Sequence, residues 1–146
     1  MPTRRQSLCA LLCPAAPLAL AQGDSLVIVV GAPCPLQALT RSQAVAYFTG
    51  RLRTLPGGEP AQPLDLPLDH PARERFYRLL TGLGLAQVNS YWSRLAFSGQ
   101  MQPPQVVAGE AELVRLLRAS PRALGYLPRP PDDERLRTLL VVKPEA

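Results

Sequence analysis

Three observations predict an α/β fold in which a mixed sheet is flanked by helices. Leu26-Val27-Ile28-Val29-Val30 is an unbroken, mostly β-branched run, the pattern of a strand covered on both faces. Residues 69–99 contain two successive stretches with apolar side chains at helical spacing, separated by glycines. Short apolar runs alternate with helical ones along the rest of the chain, as expected of a layered sheet-and-helix domain.

The elements follow in order. The strand at Leu26–Val30 stops at Gly31-Ala32-Pro33-Cys34-Pro35, because prolines remove donors and fix φ. A helix opens near Thr40. Thr40 and Gln43 have capping-box spacing, in which each side chain reaches the other's backbone N–H. Ala44, Val45, Tyr47 and Phe48 continue the helix and Gly50 closes it. Arg51 to Pro63 is a loop with a turn at Pro56-Gly57-Gly58, and Leu64-Asp65-Leu66 is a short strand.

The helix pair comes next and is expected to be the hub of the core, since it holds five aromatic residues including the only Trp. Asp69 or His70 can cap the first helix by accepting a free backbone N–H. Pro71 suits its first position, where no intrahelical donor is needed. Phe76, Leu79, Leu80 and Leu83 share one face. Gly82 and Gly84 end the helix through the left-handed conformation that glycine accepts. Leu85, Val88, Tyr91 or Trp92, and Leu95 form the face of the second helix, which stops at Gly99. Val106-Val107 is a short strand. Glu110 to Ala119 is a helix with Leu113, Leu116 and Leu117 inward and two glutamates in its first turn, where the helix dipole favours them. Strands at Leu124–Leu127 and Leu136–Val142 complete the chain. Seventeen prolines and ten glycines in 146 residues are too few for a disordered chain.

The first 21 residues read as a signal peptide. Arg4 and Arg5 supply the positive region, Leu8 to Leu20 the apolar run, and Ala19-Leu20-Ala21 a small-x-small cleavage site. The run is too short to span a bilayer, and no later segment is long enough. The expected product is one periplasmic domain, residues 22–146, without a membrane span. Arg4-Arg5 leaves general secretory and twin-arginine export both open. Cys9 and Cys13 leave with the signal. The remaining Cys34 makes no internal disulfide, zinc cage or redox pair, and reads as a small semi-buried side chain or a reactive thiol.

Loss of Arg4 and Arg5 with the signal lowers the net charge from +5 to about +3, a modest positive balance that favours anions in general. The basic residues are scattered, with no run interleaved with aromatics, which argues against nucleic acid. His70 is the only histidine. Beside Asp69 it reads either as a charge switch near neutrality or as an ordinary surface side chain. No metal-ligand spacing and no nucleophile-base arrangement has supporting context, so the chain reads as a non-enzyme with no cofactor. Asp132-Asp133-Glu134 supplies too few oxygens for calcium. Trp92 reads as core or as a ligand-stacking platform. Arg73, near the start of the first hub helix, reads as a forked donor to phosphate or carboxylate or as a solvated side chain.

In this order, Leu26–Val30 with its Pro-containing turn, Leu39-Thr40 through Tyr47-Phe48-Thr49-Gly50-Arg51, Leu64-Asp65, the Arg73–Tyr77 helix, Trp92 with Phe97-Ser98-Gly99, and Ala123-Leu124-Gly125-Tyr126-Leu127 resemble the periplasmic phosphate-binding proteins of ABC transporters, within the type II periplasmic-binding-protein superfamily. The resemblance covers about Leu26 to Leu127. It implies a single lobe of a fold whose full-length members close two lobes over the ligand. It also implies phosphate or another small oxyanion as ligand, held at a helix N-terminus, and a membrane permease as partner.

The family's Asp-x-Ser-Gly-Thr turn is replaced here by Asp65-Leu66-Pro67-Leu68-Asp69-His70-Pro71-Ala72-Arg73. Asp65 retains the acidic position, and the hydroxyls that would grip phosphate are missing. The ligand-binding residues implied are Asp65, Asp69, His70 and Arg73, with weak binding at the helix starting near Pro71. The alternative expectation is a protein-interaction or sensor accessory domain that kept the fold and lost the ligand.

Overall fold

A computed structural model describes residues 25–144. The expected signal peptide lies outside the described residues. The elements run β1 (Leu26–Gly31), α1 (Arg41–Phe48), β2 (Gln62–Asp65), α2 (Pro71–Thr81), α3 (Leu85–Phe97), β3 (Gln105–Val106), α4 (Glu110–Ala119), β4 (Ala123–Leu127) and β5 (Leu136–Val142).

The five strands form one sheet in the order β3-β2-β4-β1-β5. β1 is antiparallel to both β4 and β5, with Ile28 opposite Tyr126 and Leu26 opposite Val142. β2 is parallel to β3 and β4. The sheet is therefore mixed, as expected. All six residues of β1 and all five of β4 are buried, because these two neighbours lie inside the sheet and beneath helices. Gly31 is needed where it stands, since a Cβ there would lie 2.2 Å from the Leu117 carbonyl oxygen of α4.

Local chemistry sets the helix ends. Thr40 Oγ1 accepts the Gln43 N–H and the Gln43 side chain accepts the Thr40 N–H, closing the expected box. His70, not Asp69, caps α2, with Nδ1 accepting the Ala72 N–H at 3.1 Å. Gly82 ends α2 in the left-handed region at φ 76°. Gly84 departs from expectation: it is extended at φ −76° and serves as the N-cap of α3, its N–H bonded to the Gln87 side chain. Leu83 accordingly falls beyond α2 and is 38% exposed.

α1 and α2 pack onto the sheet through an aromatic cluster, while α3 lies against α2 and buries Val88 and Trp92. Phe76 of α2 stacks on Tyr126 of β4 at 3.7 Å between ring centroids, and Phe48 of α1 meets Phe76 edge-on at 4.8 Å. Trp92 is buried, in agreement with the core reading. Phe97 departs from its neighbours at the end of α3 and is almost wholly exposed.

Candidate functional site

The C-terminal end of β2 carries Asp65 into the interior, and the first turns of α2 carry Arg73 and Tyr77 over it. Arg73, Phe76, Tyr77 and Leu80 have helical spacing and all lie buried on one face of α2. Arg73 is therefore neither a solvated side chain nor a free donor at the helix start: it is 4% exposed, and Asp65 is 2% exposed. Arg73 Nε donates to Asp65 Oδ2 at 3.0 Å. The Tyr77 hydroxyl donates to the same oxygen at 3.0 Å, and the Tyr126 hydroxyl donates to Oδ1 at 2.5 Å. Arg73 Nη2 donates to Asn89 Oδ1 of α3 at 3.2 Å. Arg73 Nη1 is buried without a hydrogen-bond partner among the described residues.

This closes most of the account for a buried ion pair. A buried carboxylate is tolerated when its lone pairs are filled and its charge is countered, and Asp65 has three donors. The same surroundings act on the phenols. Burial, then the Asp65 charge, raises the pKa of Tyr77 well above its ordinary value, and the same two causes raise that of Tyr126. Both hydroxyls stay protonated donors through the physiological range.

Beside the pair lies a recess of about 290 Å³ bordered by Asp65, Arg73, Asn89 and Ser93, with Leu68 and Val106 on its apolar side. Leu68 and Val106 are 62% and 50% exposed.

The four residues expected to share a ligand site do not converge. Asp65 and Arg73 come together. His70 is occupied as a cap, and its Nε2 lies 3.5 Å from Glu110 Oε2 of α4, so its acidic neighbour is Glu110 and not Asp69. Asp69 is exposed and makes no hydrogen bond among the described residues. The start of α2 also has fewer free donors than expected: Pro71 has none, the Ala72 N–H is capped, and the Arg73 N–H bonds the His70 carbonyl. Tyr77, Tyr126 and Asn89 complete the site and were missed in the sequence. The spacing of Arg73 with Phe76, Tyr77 and Leu80 was the available signal for the first of these. No group of His, Cys, Asp and Glu among the described residues has metal-site geometry.

No protein-family model and no curated protein matches this chain. Solved structures do. An ABC-type phosphate transport receptor from Vibrio cholerae aligns over 81% of this chain with a TM-score of 0.62 and 17% identity. The chain shares the α/β fold of the part of that receptor with which it aligns. A phosphate ABC transporter substrate-binding protein from Clostridium perfringens, solved with bound phosphate, aligns over 81% with the same TM-score and 15% identity. The alignments cover 47% and 45% of those two chains, so this periplasmic-binding-protein-like domain spans less than half their length. No helix among the described residues is long and apolar enough to cross a membrane.

Proposed function

We propose that this chain is an exported, non-catalytic solute-binding lobe that takes a small oxyanion, phosphate first, in the recess beside Asp65 and Arg73, and presents it to a membrane permease. The observation that carries the reading is Arg73, which borders the recess and whose buried Nη1 has no hydrogen-bond partner among the described residues after Asp65 and Asn89 have taken the other nitrogens that bond. A guanidinium with an unmet N–H favours an anionic acceptor. The likeness to phosphate receptors supports the choice of phosphate. His70 and Asp69 take no part in this version of the site, since one caps α2 and the other faces solvent.

Affinity is expected to be low. The anion must share Arg73 with Asp65, whose charge opposes it. A recess with no second wall also leaves it partly hydrated and screened. Calorimetry with phosphate at low salt should give a dissociation constant on the order of 0.1–1 mM, weakening as salt rises. Arg73→Lys keeps a charge beside Asp65 but loses the fork, and should weaken binding further. Nanomolar, salt-insensitive binding, or binding indifferent to Arg73→Lys, contradicts the proposal.

A second reading is favoured by the exposed apolar Leu68 and Val106 at the rim: an accessory or sensor domain that contacts a protein there. Silence with phosphate, sulfate and small carboxylates selects it. Export is tested separately. Cleavage after Ala21 predicts a mature chain starting Gln22-Gly23, and intact mass of the secreted protein would show a full-length or lipidated chain if that is wrong.

A further inference from the structure

A second recess lies on the other side of Trp92, between the end of α1, the last turn of α2 and the start of α3. It measures about 420 Å³, inside the range of small-molecule sites. Its walls are Phe48, Leu80, Leu83, Val88 and Trp92.

Its polar groups have been withdrawn from use. The Thr49 hydroxyl donates to the Val45 carbonyl and accepts from Arg51 Nε, and the Thr81 hydroxyl donates to the Tyr77 carbonyl and accepts the Leu83 N–H. The Tyr91 hydroxyl donates to the Thr49 carbonyl at 2.6 Å, and that of Tyr77 is spent on Asp65. One charged group remains. Arg51 lines the recess and is exposed, and among the described residues its only side-chain hydrogen bond is the long 3.4 Å contact through Nε. Its two terminal nitrogens, the fork that grips a carboxylate side-on, have no hydrogen-bond partner among the described residues.

We propose that this recess binds an amphipathic carboxylate, an aromatic or aliphatic group on a short chain ending in one carboxylate. The apolar part lies against Leu80, Leu83, Val88 and Trp92, and the carboxylate is held by Arg51. A ligand with further polar groups is disfavoured, because the walls offer nothing to satisfy them and their desolvation would go uncompensated. The site is separate from the Asp65–Arg73 recess and does not depend on phosphate binding there.

Trp92 is the only tryptophan, so its fluorescence reports on the recess. The intact protein is titrated with 4-phenylbutyrate, and with 4-phenylbutyramide as the uncharged counterpart. The acid should give a saturable change. The amide should bind about tenfold more weakly, as should the acid to Arg51→Gln, while the amide ignores that substitution. Leu83→Asp on the rim should weaken both ligands, which locates them here and not in the other recesses that Trp92 borders. Both substitutions alter exposed side chains, and an unchanged unfolding midpoint verifies the fold. Equal affinity for acid and amide, acid binding untouched by Arg51→Gln or by Leu83→Asp, competition by phosphate, or no saturable change at millimolar ligand overturns the proposal.

Discussion

Asp65 and Arg73 form an ion pair inside the domain, with Nε 3.0 Å from Oδ2 and both side chains almost fully buried. The pair ties the end of β2 to the first turns of α2 and, through Tyr126, to β4. Its stability consequences are asymmetric. Removing one partner strands a charge, whereas removing both does not.

Arg73→Ala should therefore destabilise the domain by about 3–5 kcal/mol, the range for breaking a buried pair. A solvated Arg73 would instead have implied almost no loss. Asp65→Asn combined with Arg73→Met should recover much of the loss. Urea unfolding of Asp65→Asn, Arg73→Met and their double variant measures the coupling. A loss below about 1 kcal/mol for Arg73→Ala is incompatible with the buried pair.

Alkaline pH should unfold the domain through Tyr77 and Tyr126. Their phenol pKa values are raised in the folded state by burial and by Asp65. The unfolded chain releases these protons near the ordinary tyrosine value of about 10, so the stability they contribute is full below that value and is lost as pH rises beyond it. Phenolate absorbance should show these two hydroxyls ionising together with the loss of helical circular dichroism, and not before it.

At the acid end, Asp133 should act in the opposite sense. The Arg135 backbone N–H and then the Arg118 side chain hold its pKa down at about 2. Its contribution is complete above the unfolded carboxylate value and is lost as pH falls toward 2. Asp133→Asn should remove that part of the acid dependence while leaving the alkaline limb unchanged, as read from melting temperatures across pH.

Trp92→Ala should destabilise by about 3–5 kcal/mol, as for other buried large aromatics. Trp92 is 6% exposed and its ring meets Tyr91 edge-on at 5.2 Å. Gly50 is part of the same packing: it sits at φ 78°, and a Cβ there would lie 3.0 Å from the Trp92 ring and 2.9 Å from Met101 Sδ. Gly50→Ala should thus also destabilise. A denaturant midpoint unmoved by Trp92→Ala would place the ring at the surface.

The cap of α2 offers a smaller test. His70→Ala should reduce stability by about 1 kcal/mol, and His70→Asn should keep most of it, because an Asn oxygen can accept the Ala72 N–H as Nδ1 does. Equal effects of the two substitutions would mean that the ring acts through Glu110 instead.

Periodicity and capping made the fold legible. The run Leu26–Val30 announced a fully covered strand, and Thr40 with Gln43 announced a helix start, because both signals are local. The site was legible only in halves. Asp65 and Arg73 stand eight residues apart, and both stood out. That they meet each other, and that Tyr126 and Asn89 join them, depends on how β4 and α3 pack, which no short-range pattern encodes. Leu83 was misplaced because helical spacing continued past the point where Gly82 turned the chain. Phe97 was counted among the five aromatics of the hub by composition alone, yet it lies off the Val88–Trp92 face and is exposed.

The position of β1 in the sheet has a consequence for biosynthesis. β1 is made first, yet its two neighbours in the sheet are β4 and β5, the last strands to be made. Pairings so distant in sequence form slowly, since loop closure must precede the contacts that reward it. The most buried strand of the domain therefore stays without its native neighbours until synthesis has passed Ala123. A nascent chain of this connectivity cannot complete the centre of its sheet until most of these residues have been made.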